Sequence, residues 1–274
     1  VEDQTRGSML QEFLTLPDPA LMTICGFFVG LLVGMTGVGA GALTTPLLIS
    51  GFGVAPTVAV GTDLLFAGLT KASGAWRHHR LGHVNWDIFG TLALGSISAA
   101  SATLVAIAYF EADHVALDAT IRFVLAATLV ISAIAIPLIP VLIVRHVKSP
   151  SDQVRVRPFW TVLMGLVLGV IVTLTSVGAG AIGVAVLSIL YPMLRARHIV
   201  GTDIVHAVPL TLLAGLGHLS IGNIDYNILI ALLVGSVPGI MIGSRLTSMV
   251  PDWLLRVILA LVLATSAYLV IAKT

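Results

Sequence analysis

The chain has 274 residues, of which 57% are hydrophobic and only 10% charged, with a formal net charge of +1 and a mean hydropathy of +1.05. So few charges cannot solvate the exterior of a soluble domain of this size, which excludes one. The near-zero charge without a basic stripe excludes a nucleic-acid partner. The single cysteine, Cys25, excludes disulfides and thiol-rich metal sites.

Val1 to Ser8 is polar, precedes Met9 and reads as a cloning remnant outside the fold. No cleavable secretory signal is evident, so the first apolar segments are expected to be retained. Apolar runs long enough to cross a ~30 Å hydrocarbon core then recur along nearly the whole chain. They are continuous rather than alternating, which argues against a membrane β-barrel. The expected fold is an all-α polytopic membrane protein.

In chain order the segments fall near Ala20–Thr36, Ala40–Phe52, Thr57–Trp76, Trp86–Phe110 and Leu117–Val144. They continue near Trp160–Thr175, Ala179–Tyr191, Ile199–Leu219, Tyr226–Leu246 and Trp253–Ala272. The halves repeat each other. Thr36-Gly37-Val38-Gly39-Ala40-Gly41 returns as Thr175-Ser176-Val177-Gly178-Ala179-Gly180, and Gly61-Thr62-Asp63 as Gly201-Thr202-Asp203. Gly82-His83-Val84-Asn85-Trp86 returns as Gly222-Asn223-Ile224-Asp225-Tyr226. The expected organisation is a first repeat at 9–144, a basic linker at 145–158 and a second repeat at 159–274.

The second segment of each repeat spans only about 20 Å at about 1.5 Å per residue, too short for a comfortable crossing. With its predecessor it is expected to form a hairpin that either dips in or crosses, the glycine-rich link at its tip. Loop charges set the orientation. Placing the linker in the cytoplasm puts Arg77, Arg80, Arg145, Lys148, Arg155, Arg157, Arg195, Arg197, Arg245 and Arg256 on that side, out of 14 Lys and Arg in all. That assignment needs an odd number of segments per repeat, so the repeats are expected to be inverted. Inverted repeats are a signature of secondary transporters, with the substrate bound near midplane where they meet.

Three features carry candidate chemistry. The glycine-rich links (Gly37, Gly39 and Gly41; Gly178 and Gly180) serve either close helix packing or a helix break. Recurrence beside short segments favours the break, whose free N–H groups and positive helix end would face an anion, joined by the hydroxyls of Thr36, Thr175 and Ser176. The intramembrane carboxylates Asp63 and Asp203, with Thr62 and Thr202 beside them, are costly and therefore point to function. Asp203 and His206 share a helix face and could form a proton-coupling pair. Lys71 could bind an anion, pair with Asp63 or snorkel to the surface. His78, His79 and His83 read as a solvated interfacial cluster rather than a metal site, and His218 with Asn223 and Asp225 as a solvated external vestibule. Pro209, Pro238, Pro137 and Pro140 fall inside apolar segments and are expected to kink them.

Taken together, these residues resemble the TauE/SafE sulfite exporter family over both repeats, from Ala20 to the C-terminus. The resemblance rests on the glycine links, the paired Gly-Thr-Asp triplets, the Gly82 and Gly222 motifs, Gly217-His218 and Leu233-Val234-Gly235-Ser236-Val237-Pro238-Gly239. It implies a bacterial or archaeal cytoplasmic-membrane protein that moves sulfite, sulfonates or other small anions, commonly by export. Many members carry a small or hydroxyl residue where Asp63 and Asp203 stand, a departure here.

The expected function is secondary transport of a small sulfur-containing or organic anion. Thr36, Gly37, Gly39, Gly41, Thr62, Lys71, Thr175, Ser176, Gly178, Gly180 and Thr202 would bind the substrate, while Asp63, Asp203 and His206 couple its movement to protons or sodium. An uncoupled channel is the alternative. The expected partners are the anion, the coupling ion and the lipid bilayer. No cofactor, metal or catalytic residue is expected, and the oligomeric state stays open, a homodimer included.

Overall fold

The computed structural model describes residues 18–36, 39, 41–110, 114–145, 154–246 and 250–272. The expectations for 1–8, for Gly37 and for most of the basic linker lie outside them. The described residues form ten α-helices, one π segment and no strand. In the first repeat, α1 is Pro19–Thr36 and α2 is Gly41–Pro46, continued by a π turn over Leu47–Gly51. Then come α3, Pro56–Arg80, α4, Trp86–Phe110, and α5, His114–Arg145. In the second repeat, α6 is Pro158–Thr175, α7 Ala181–Leu190, α8 Ala196–Ile221, α9 Tyr226–Leu246 and α10 Asp252–Ala272.

Seven of these helices are long and apolar enough to cross a membrane. α3 has the length, 25 residues, but carries Asp63, Lys71, Arg77 and Arg80. Polarity is distributed inside out. Asp63, Asp203, His206 and His218 are buried, whereas Phe28, Val105, Phe123, Val234 and Leu261 are exposed. Such a surface suits lipid, where charge is costly and apolar side chains are at home.

Local chemistry fixes the helix ends. Pro56 and Pro158 open α3 and α6, where a proline lacks an N–H that no helical carbonyl would have used. The α3–α4 and α8–α9 turns close identically. Gly82 and Gly222 adopt φ of 69° and 91°, and the next residues, His83 and Asn223, donate their N–H groups back to the His78 and His218 carbonyls. This is the left-handed glycine stop of a helix. Asn85 and Asp225 then cap α4 and α9, each Oδ1 accepting the Ile88 or Ile228 N–H at 3.1 Å. The repeated Gly82 and Gly222 motifs are therefore turn chemistry.

The repeats exchange partners: α1 packs on α9, α4 on α6, α3 on α8 and α5 on α10. Glycines spaced four apart let backbones touch. A Cβ added at Gly26, Gly30 or Gly34 of α1 would lie 3.0, 2.6 or 2.9 Å from the Cα of Leu232, Ser236 or Ile240 of α9. Rising numbers pair with rising numbers, so α1 and α9 run parallel. Conversely, Gly61 faces His218 and Asn223 while Gly201 faces His78 and His83, so the equivalent helices α3 and α8 run antiparallel. Two cross-repeat ties seal that pair: Asp225 N–H donates to Thr62 Oγ at 3.0 Å, and Asn85 N–H to Thr202 Oγ at 2.9 Å.

Candidate functional site

α1 stops at Thr36 and α6 at Thr175, both short of the following helices. Between α6 and α7 the backbone turns sharply. Ser176 has φ 58°, the only positive value among described non-glycine residues, and Gly178 and Gly180 follow at 117° and 132°. Side chains with a Cβ rarely adopt these angles, so the second link needs its glycines. Thr175 Oγ donates to the Ile171 carbonyl at 2.7 Å and accepts the Val177 N–H at 3.1 Å, bracing the break. Thr36 Oγ donates to the Leu32 carbonyl at 2.7 Å.

The two links meet. A Cβ on Gly180 would lie 3.4 Å from Gly39 N, and one on Gly41 would lie 2.8 Å from Ser176 Oγ. Lys71 Nζ enters this junction and donates to the Ala179 carbonyl at 2.7 Å. It lies 2.6 Å from where a Cβ on Gly39 would sit. Of the three roles open to Lys71 in the sequence, snorkelling is not what the structure adopts, because the ammonium points into the junction.

Both carboxylates border the junction and act electrostatically on Lys71. Asp63 Oδ2 accepts a hydrogen bond from Thr45 Oγ at 2.6 Å. Thr44 and Ser176 lie near the same carboxylate, Ser176 Oγ falling short of hydrogen-bond geometry. Asp203 packs against Gly183 of α7, and neither of its oxygens has a hydrogen-bond partner. The centre thus combines two carboxylates and one ammonium, with the starts of α2 and α7 beside them.

The remaining candidates lie apart from this arrangement. No hydrogen bond joins Asp203 to His206; His206 Nε2 meets Ser96 Oγ at 2.7 Å instead. Sharing a helix face did not bring them together, because α4 packs on α8 and offers the nearer partner. The hydroxyls of Thr62 and Thr202 are taken up by the cross-repeat ties. His218 corrects the expectation of a solvated vestibule. It is fully buried, its Nε2 donating to the Thr173 carbonyl at 3.1 Å, because Gly61 admits α8 closely there. His78 and His83 are half-buried, with ring centroids 5.6 Å apart, rather than fully solvated. Among the described residues no three His, Cys, Asp or Glu gather into a metal-ligating group.

Thr44, Thr45, Gly183 and Ser96 were not singled out by the sequence reading. Thr44-Thr45 was detectable as two hydroxyls in an otherwise apolar short segment just after a glycine link. Gly183 and Ser96 had no local signal.

A family model described as sulfite exporter TauE/SafE matches residues 22–270. The chain is 38% identical to "Probable membrane transporter protein YjnA" of Bacillus subtilis over 89% of its own length and 96% of that protein. It is 29% identical to "Probable membrane transporter protein YdhB" of the same organism over 86% and 93%. To "Probable membrane transporter protein MJ0441" of Methanocaldococcus jannaschii it is 26% identical over 92% and 94%. No solved structure matches the chain.

Proposed function

Because the chain belongs to the TauE/SafE sulfite exporter family and is a multi-pass membrane transporter, we propose that it carries small sulfur-containing or organic anions outward by secondary transport. The observation that carries this reading is the convergence of both glycine breaks on one ammonium, Lys71 Nζ. A cation alone binds anions weakly in water, but one held in a partly buried junction interacts more strongly. The starts of α2 and α7 add the positive ends of two helix dipoles at the same place. Gly39, Gly41, Gly178 and Gly180 let the backbone approach an anion that a Cβ would keep out. Thr36, Thr175 and Ser176 shape the break, and Thr62 and Thr202 hold the repeats rather than the substrate.

Asp63 and Asp203 provide coupling. With no ion bound they compete with the anion for Lys71; neutralising them releases the ammonium to the substrate. His206, buried against Ser96, supports α8 beside Asp203. The antiparallel run of α3 and α8 supports inverted repeats; family membership favours a bacterial or archaeal cytoplasmic membrane, and the excess of Lys and Arg in the linker supports that segment lying inside.

The test is thermal stabilisation of the purified protein by sulfite, sulfate, thiosulfate, sulfoacetate, taurine and simple carboxylates. Each is run at two pH values, with and without sodium. A selective rise with a sulfur oxyanion, dependent on proton or sodium, is expected. Stabilisation by cations or neutral solutes alone would overturn the anion reading, and a rise indifferent to both ions would point to an uncoupled channel.

A further inference from the structure

The two carboxylates occupy equivalent positions in the repeats, yet their surroundings differ systematically. Asp63 is flanked by Thr45, Thr44 and Ser176. Aligning the repeats through their glycine links puts Gly183 at the position of Thr44, Val184 at Thr45 and Gly37 at Ser176. Each hydroxyl near Asp63 is therefore replaced by hydrogen or methyl groups in the other repeat. If the hydroxyls only balanced a buried carboxylate, Asp203 would need them as much. Asp203 is equally buried and has none within hydrogen-bond reach.

Asp63 is fully enclosed, and its Oδ1 has no hydrogen-bond partner. Ser176 is 4% exposed, and its Oγ is also unpartnered. Buried polar atoms are almost always satisfied, so an orphaned carboxylate oxygen with an orphaned hydroxyl beside it leaves two neighbouring oxygens open to a further partner. Thr45 donates a hydrogen bond from its hydroxyl to Asp63 Oδ2, and a donating hydroxyl keeps its lone pairs for another partner. Ser176 sits in the left-handed region at φ 58°, on the C-terminal cap of α6. The carbonyl end of a helix carries the negative end of its dipole. Thr44, Thr45 and Ser176 bring neutral oxygens to this carboxylate, and the Lys71 ammonium is the one positive charge that acts on it.

One carboxylate, several neutral oxygens and a helix C-terminal end form the ligand set that broken-helix carriers use for alkali cations. A divalent cation would call for more charge, and a softer metal for nitrogen or sulfur. We propose that Thr44, Thr45, Asp63 and Ser176 form a sodium site, and that Asp203 lacks one. The inference rests on the coupled-transporter reading and gives it an order of events. Sodium neutralises Asp63, Lys71 then faces Asp203 alone, and its ammonium becomes available to the anion at the link junction. Gly41 packs against Ser176, so the same backbone contact joins the cation pocket to the anion site.

The experiment is a salt titration of the purified full chain, following the thermal midpoint in sodium chloride against potassium and choline chloride at constant ionic strength. Sodium is expected to raise the midpoint saturably, with potassium and choline giving no comparable rise. Thr45→Val and Ser176→Ala are each expected to raise the half-saturating sodium concentration by about tenfold or more, as loss of one ligand to a charged group implies. Asp63→Asn should abolish the response. Equal shifts with sodium and potassium would overturn the site using wild-type protein alone, whatever the variants do. Wild-type titration curves in both hydroxyl variants would overturn it as well. Adding sulfite to the same samples separates the two readings. Sulfite stabilisation without any sodium effect removes the sodium site and leaves the anion carrier, and a saturable sodium effect without any anion effect does the reverse.

Discussion

Gly39→Ala isolates the junction from the rest of the fold. The added methyl would lie 2.6 Å from both Cε and Nζ of Lys71 and 3.1 Å from the Ala179 carbonyl oxygen. Ordinary carbon contacts need about 3.5–4.0 Å, so the lysine tip must retreat by about 1 Å. Its 2.7 Å hydrogen bond to Ala179 then opens towards about 3.6 Å, where no hydrogen bond remains. The displaced ammonium also loses its hydrogen bond to a bound anion, and a hydrogen bond involving a charged group contributes about 1.5–3 kcal/mol, which corresponds to about 10- to 150-fold in affinity. The displaced atoms end a flexible side chain, so the fold can absorb the change. Gly41→Ala is the contrast: its methyl meets the Ser176 carbonyl and lies 2.9 Å from the Ser176 carbonyl carbon, a backbone that cannot step aside. Anion titrations and thermal midpoints on both variants decide the matter. Gly39→Ala should stay folded, its midpoint lowered by no more than the loss of that one hydrogen bond, and lose about 10- to 150-fold in anion affinity, whereas Gly41→Ala should lose the folded protein. Unchanged anion affinity in Gly39→Ala would refute the role given to Lys71.

Gly30→Val should cost more than about 4 kcal/mol, because its Cβ would lie 2.6 Å from Ser236 Cα between two helix backbones. A wild-type thermal midpoint would contradict the α1–α9 packing. Thr62→Val and Thr202→Val should each cost about 1–3 kcal/mol by leaving the Asp225 or Asn85 N–H unpaired. Anion preference should stay constant in both, and a changed ranking across an anion panel would place these threonines at the substrate after all. Ser96→Ala should lower stability by about 1–3 kcal/mol, since it strands buried His206 Nε2. An unaltered midpoint would remove that support for α8.

Much of the fold was legible because membrane helices announce themselves by length. Trp86–Phe110 and Tyr226–Leu246 came out at the observed bounds, each apolar run starting behind a glycine turn and a capping Asn or Asp. The π turn after Pro46 was not legible, since nothing local distinguishes it from continued helix. The repeated glycines Gly26, Gly30 and Gly34 were in plain view at a spacing of four, but which helix they touch is a non-local fact. At the site, the links, Lys71 and both carboxylates stood out because polar or flexible residues are costly in apolar segments. Thr62 carried the same signal for a different reason: it caps a backbone N–H in the other repeat. His206 and Asp203 share a face by spacing, but packing chose Ser96 as the partner of the histidine.

The most direct measurement is uptake of radiolabelled sulfite into proteoliposomes holding wild-type protein or Lys71→Met, under an imposed sodium or proton gradient. Wild-type protein should accumulate sulfite against its gradient. Lys71→Met, folded by its thermal midpoint, should lose about 100-fold or more in rate, as removing a partly buried cation at roughly 4 Å implies. Lys71→Met transporting at the wild-type rate, or wild-type protein moving no anion under either gradient, would contradict an anion site built where the two broken helices meet.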